Sequence, residues 1–145
     1  MTDLAEELIA SEEGHARSAY LDSRGFWTIG IGCCVDARVK GTGLCDAAID
    51  AQFEHDRSNA NSVCARIPNF GGLDEVRQAA LVSIAFQLGD QILGWHGFMT
   101  AMAGNDRKAA AAALLESEWA RIETPHRAER ECSMLETGLW MEKLG

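Results

Sequence analysis

Two prolines in 145 residues, Pro68 and Pro125, leave nearly the whole chain free to be helical. One stretch departs from that freedom. Asp22-Ser23-Arg24-Gly25 is a turn sequence. Phe26-Trp27-Thr28-Ile29 follows it, rich in β-formers, and Gly30 and Gly32 punctuate its end. The spacing predicts a small hairpin over residues 20–32, the one β-element in a mostly helical chain.

The remaining segments read as helices with start and stop signals. Residues 3–12 place Leu4, Leu8 and Ile9 on one side, and Gly14 is the stop. Residues 35–43 read as a loop. Asp46 caps a helix through Ile49 and Phe53 towards Val63, and Pro68 to Gly72 breaks it. Asp74 opens a helix carrying Val76, Ala80, Leu81, Ile84 and Leu88, ended by Gly89. Being apolar nearly all round, that helix is expected at the centre of the core. Helices are expected over about 91–103 and from Asp106 to Trp119. Thr124 caps the last main helix, with Pro125 in its first turn and an end near Gly138. The fold class is α+β, mostly α. A small N-terminal lobe of helix and hairpin precedes a larger helical lobe, and a helix over about 46–66 joins them. A cleft between two such lobes is a natural ligand site.

The length is that of one domain, and 47% hydrophobic with 24% charged residues is ordinary for a globular chain. No apolar run approaches the roughly 20 residues that span a bilayer. Asp3, Glu6 and Glu7 stand where a signal peptide would carry positive charge, so no export signal is expected. A net charge of −9 argues against nucleic-acid binding, which needs Lys and Arg to neutralise phosphates. It also removes any long-range attraction to anionic polymers in general. The five cysteines, Cys33, Cys34, Cys45, Cys64 and Cys132, form no CxxC pair, which argues against a zinc site. They read as free thiols of a reducing compartment, with a disulfide formed after release as the alternative.

Among 22 acidic residues, the informative ones lie where a helix ends and the hairpin begins. Glu13 precedes Gly14, Asp22 enters the hairpin, and the Thr28 hydroxyl on it suits a bound water. A carboxyl that donates a proton and a second that activates water or stabilises a sugar cation is the pattern of glycoside hydrolysis. On a helical wheel, however, Glu12 lies nearer the centre of the Leu4-Leu8-Ile9 face than Glu13 does. The residues alone leave both open.

Longer motifs carry a resemblance. Ser11-Glu12-Glu13-Gly14, Tyr20-Leu21-Asp22-Ser23-Arg24-Gly25 and Trp27-Thr28-Ile29-Gly30-Ile31-Gly32 together resemble the signature of phage-type lysozymes. Asp74 to Ala80 and Ala85-Phe86-Gln87-Leu88-Gly89 resemble that family's central helix, and Gly97-Phe98 the turn after it. Trp119, Thr124-Pro125-His126-Arg127-Ala128-Glu129-Arg130 and Thr137-Gly138-Leu139-Trp140 follow in the family's order. The resemblance implies one lysozyme-like domain over 1–145, with lobes of approximately 14–65 and of 1–13 plus 66–145. It implies Glu13, Asp22 and Thr28 as catalytic residues, and it selects Glu13 over Glu12. It further implies that Arg127 approaches and positions Glu13, with Gln87 and Trp119 beside the substrate. From the residues, Arg127 also has the option of pairing with Glu123, and Gln87 of simply packing against Trp119. An ion pair alone would hold the acid ionised, so burial or hydrogen bonding must offset Arg127.

The activity so implied is hydrolysis of the β-1,4 bond between N-acetylmuramic acid and N-acetylglucosamine in peptidoglycan, with no metal or other cofactor. The expected setting is a monomeric endolysin, held in the host cytoplasm until a holin opens the membrane, then acting in the periplasm on the wall, without nucleic-acid partners or stable membrane insertion. A wall-binding or virion module with little catalysis, or a secreted wall-degrading toxin, are the alternatives. This chain departs from the family by Cys33-Cys34 where a His usually follows Gly-Ile-Gly, by a short 35–44 segment and by its acidity.

Overall fold

A computed structural model describes residues 4–36 and 43–142. The chain divides into two compact units, Met1–Gln52 and Phe53–Gly145, with the boundary inside a helix, α2 (Asp46–Cys64). Compactness thus groups the first helix with the hairpin, whereas the sequence reading groups residues 1–13 with the helical part.

In the first unit, α1 spans Leu4–Glu13. It closes at Gly14, which adopts φ +75° and donates its N–H to the Ala10 carbonyl at 3.0 Å. Three antiparallel strands follow in the order β1 (Ala16–Leu21), β2 (Trp27–Gly30) and β3 (Cys33–Cys34). Strand β1 starts four residues before the expected hairpin. Arg17-Ser18-Ala19 carries no strand propensity, so pairing with β2 extends it. Ala16 faces Gly30 and Tyr20 faces Thr28, with a shift of register between them. Strand β3 is absent from the sequence reading because two residues are too few to show a period. Cys34 pairs with Thr28, and Cys33 with Ile29.

The second unit holds the rest of α2, then α3 (Glu75–Leu88), α4 (His96–Ala103), α5 (Arg107–Leu115) and α6 (Pro125–Thr137). Asp74 caps α3 as expected, accepting from Arg77 N at 3.0 Å. The Arg77 side chain hydrogen-bonds the Asp74 carboxylate and holds it below its ordinary range. The same guanidinium donates to the Leu135 and Glu136 carbonyls at 2.8 Å each, tying the start of α3 to the end of α6. Gly138 ends α6 in the left-handed region that a non-glycine residue enters at a cost. Leu81, Ile84, Ile92, Phe98, Met102, Leu114, Trp119 and Leu135 form the core.

Four expectations need correction here. The α3 helix is not buried all round: Ala80, Leu81, Ile84 and Ala85 are inside, while Phe86 and Gln87 are exposed. The segment expected as one helix over 91–103 is a 3-10 turn (Gly89–Gly94) followed by α4, and the helix expected to reach Trp119 ends at Leu115. A π-helical turn, Trp119–Glu123, follows it and closes with Thr124 N donating to the Trp119 carbonyl at 2.9 Å. Thr124 therefore arrives with a different orientation, and its hydroxyl caps no backbone N–H of α6.

Burial raises the Cys64 and Cys132 thiols to about 12. A thiol held this high contributes stability below about pH 9, its ordinary range, and loses it as pH climbs towards 12. In native protein, an aromatic disulfide reagent is expected to label Cys33 and Cys45 first and Cys34 more slowly, with Cys64 and Cys132 reacting only on unfolding. Rapid labelling of all five without denaturant would contradict this burial.

Candidate active site

The end of α1 meets the β2–β3 turn of the sheet. A β-carbon built on Gly32 would lie 2.7 Å from Glu13 Oε2 and 2.8 Å from its carboxyl carbon. The Glu13 carboxyl therefore rests on the backbone of the β2–β3 turn, in space that only glycine leaves open. Gly32 also takes φ +68°, which strains any other residue, and a side chain there would push the flexible Glu13 carboxyl aside. The wheel argument for Glu12 assumes that the Leu4-Leu8 face points inward. Leu4 is 79% exposed and Leu8 is also exposed; the side chain of Ile9 is outside the described residues. Contact with Gly32, rather than the apolar face of α1, gives Glu13 its direction.

Asp22 is fixed by its own turn. Its backbone N–H donates to the Phe26 carbonyl at 2.9 Å and its carbonyl accepts from Gly25 N at 2.9 Å. Its Oδ1 accepts from the N–H groups of Arg24 and Phe26, both at 2.9 Å. Such a side-chain turn immobilises the carboxylate without using a core. The Arg24 guanidinium stands 3.7 Å from Oδ2 and lies over the Phe26 ring. Thr28, in the middle strand, is only 4% exposed. Its hydroxyl donates to the Phe26 carbonyl at 3.1 Å. Its lone pairs remain to accept a hydrogen from a water or a sugar hydroxyl. Thr28, Tyr20 and Cys34 face one another across the three strands and so share one face of the sheet.

The supporting residues of the sequence reading lie in the second unit. Trp119 Nε1 donates to Gln87 Oε1 at 2.8 Å, a directed bond rather than simple packing. Arg127 pairs with Glu131, Nε to Oε1 at 2.9 Å, and not with Glu123. Its Nη2 also donates to the Ser83 hydroxyl at 2.9 Å and carbonyl at 3.2 Å, and Ser83 in turn donates to Glu131 Oε1. The sequence reading missed Glu131 and Ser83. The i,i+4 spacing of Arg127 and Glu131 on α6 was the available signal.

Among the described residues, no cluster of His, Cys, Asp and Glu could hold a metal ion. No described helix is long and apolar enough to cross a membrane.

The chain is 24% identical to a Dictyostelium discoideum protein named "Probable T4-type lysozyme 1", over 95% of this chain and 96% of that one. The T4-type lysozyme relationship suggests a glycoside hydrolase acting on peptidoglycan. Residues 10–129 match the phage lysozyme family model, and the chain belongs to the phage lysozyme family.

Proposed function

We propose that this protein hydrolyses the β-1,4 bond between N-acetylmuramic acid and N-acetylglucosamine in peptidoglycan, as an endolysin. The observation that carries the reading is the Glu13 carboxyl laid against Gly32, in the same unit as the anchored Asp22 and the Thr28 hydroxyl. Glu13 is exposed and open to a ligand. In its acid form it delivers a proton to the glycosidic oxygen as the bond breaks. Positive charge then develops on the sugar ring, and the Asp22 carboxylate stabilises it or takes a proton from the attacking water. Thr28, its own proton committed to the Phe26 carbonyl, accepts a hydrogen from that water and orients it. The α1 end and the β1–β2 turn thus supply opposite functions, proton donor and base, from two separately anchored places.

Gln87, Trp119 and Arg127 are proposed to serve substrate binding and support of the acid, on the strength of the family motifs. The acidic balance of the chain gives no electrostatic attraction to an anionic wall, so capture is expected to depend on contact with the glycan rather than on steering. In the endolysin reading the protein collects in the host cytoplasm and reaches the wall once a holin opens the membrane.

Asp22→Asn tests the second carboxyl. The amide keeps an oxygen to accept from Arg24 and Phe26, so the turn is expected to survive. Release of reducing ends from purified peptidoglycan is expected to fall by about 100-fold or more. A folded Asp22→Asn protein with full activity would remove Asp22 from the mechanism. If wild type binds glycan but releases no reducing ends, the hydrolase reading itself fails.

A further inference from the structure

Cys33 and Cys34 are adjacent thiols beside the site that the proposed hydrolysis does not use. Together they make up β3, which pairs with β2. Successive side chains of a strand point to opposite faces, so the pair is divided. Cys33 is exposed and lies opposite Ile29, whereas Cys34 is half-buried and lies opposite Thr28.

The Val35 N–H donates to the Trp27 carbonyl at 2.9 Å. Hydrogen-bonded and non-hydrogen-bonded pairs alternate along antiparallel strands, so the neighbouring pair, Thr28 with Cys34, is of the second kind. Such pairs bring their side chains closest, with β-carbons roughly 4.5–5.5 Å apart. Tyr20 stands opposite Thr28 on its other side, from β1. Thr28 is itself 4% exposed, so any approach to its hydroxyl is narrow, and Cys34 and Tyr20 flank it. A group attached to Cys34 Sγ therefore stands beside the Thr28 hydroxyl.

We propose that Cys34 is a modification site for low-molecular-weight disulfides, and that its mixed disulfide reversibly closes the active site. The effect on activity rests on the role given above to Thr28. In the exchange the Cys34 thiol gives up its proton, and its sulfur attacks one sulfur of the small disulfide. The S–S bond of the reagent breaks, and a new one joins Cys34 to half of it. The other half leaves as a thiolate and takes up a proton, so the protein is oxidised and one small thiol is produced. The adduct occupies the place of the water that Thr28 orients. Cys33 does not displace it. Adjacent α-carbons lie about 3.8 Å apart, below the roughly 4.4 Å at which disulfide geometry begins, and the two side chains leave opposite faces of β3. The block therefore lasts until an outside thiol reverses the exchange.

The test treats full-length wild type with glutathione disulfide and follows adducts by peptide mass alongside reducing-end release from purified peptidoglycan. Cys33 and Cys45 are the more exposed and are expected to take adducts first, with little loss of activity. Activity is expected to fall about tenfold or more as Cys34 becomes occupied, and to return with dithiothreitol. Cys34→Ser, compared with its own untreated rate, is expected to keep that rate while Cys33 and Cys45 carry adducts. Should Cys34→Ser not fold, the order of labelling and inactivation in wild type decides the same point. Inactivation that precedes the Cys34 adduct, persists in Cys34→Ser, or is absent at full occupancy of Cys34 overturns the proposal. So does a disulfide between Cys33 and Cys34, or a Cys34 that takes no adduct. If untreated wild type releases no reducing ends, the hydrolase reading fails alone. Binding of a chitin oligosaccharide before and after treatment then carries the comparison, and binding unchanged by the Cys34 adduct overturns the proposal.

Discussion

Replacing Glu13 with glutamine is expected to reduce reducing-end release from peptidoglycan by about 100- to 10,000-fold, the usual contribution of a positioned proton donor. The amide matches the carboxyl in shape, so it still fits over Gly32. Glu13 is exposed, and a substitution at such a site changes stability by within about 0.5 kcal/mol. The thermal midpoint should therefore stay close to wild type while activity disappears, and glycan binding should persist. Measured side by side, these separate a lost proton from a lost fold. Clearing of outer-membrane-permeabilised Gram-negative cells gives the same comparison on intact walls. Full activity of a folded Glu13→Gln protein would move the proton to another carboxyl. Glu12 is then next to test, because the helical wheel favours it.

The second large effect is expected at a residue with no functional group. Gly32→Ala introduces a β-carbon where Glu13 Oε2 now sits 2.7 Å away, and it does so at φ +68°. The backbone alone costs about 1–2 kcal/mol for a non-glycine residue. The clash is relieved by swinging the Glu13 carboxyl aside, since it is the far end of a flexible chain. Stability therefore falls modestly, while the acid leaves its place. A displacement of about 1 Å in a catalytic group is enough to cost on the order of 100-fold in rate. Gly89→Ala is a control for backbone strain without the clash. Gly89 has a nearly equal φ, +67°, but nothing within 4 Å of the added carbon. Its ψ of −151° lies where glycine is found almost alone, so it should lose at least as much stability and yet keep its activity. If Gly32→Ala keeps its activity as Gly89→Ala does, the contact between Gly32 and Glu13 has no part in catalysis.

These two predictions differ in how much of them the sequence supplies. Glu13 stands out from its motif, Glu before Gly ahead of a turn and a Thr-Ile-Gly strand. The role of Gly32 beneath it does not, because Gly30 and Gly32 look alike as punctuation after a strand. They differ only in what lies above them: nothing lies within 4 Å of a carbon added to Gly30, and a carboxyl blocks the one added to Gly32. Arg127 shows the same limit. Its first-turn position suggested Glu123, and the fold joined it instead to Glu131 and, from another helix, to Ser83.

Signals contained within one turn were legible from the chain alone. Asp74 and Asp106 cap their helices because an aspartate oxygen reaches an N–H three residues on, whatever surrounds it. The Asp22 to Gly25 turn forms because its own side chain and a glycine close it. The ends of α1 and α6 at Gly14 and Gly138 follow from the left-handed conformation that glycine adopts without strain. Tertiary structure decided the rest. It extended β1 back to Ala16 and added Cys33–Cys34 as a strand, since pairing partners rather than propensity hold those residues. It diverted Thr124 from its cap through a π-helical turn, and it laid Glu13 rather than the apolar α1 face against the sheet. The physical reason is range: caps and turns are satisfied by atoms a few residues away, whereas strand pairing and the aim of a carboxyl depend on atoms that only folding brings near.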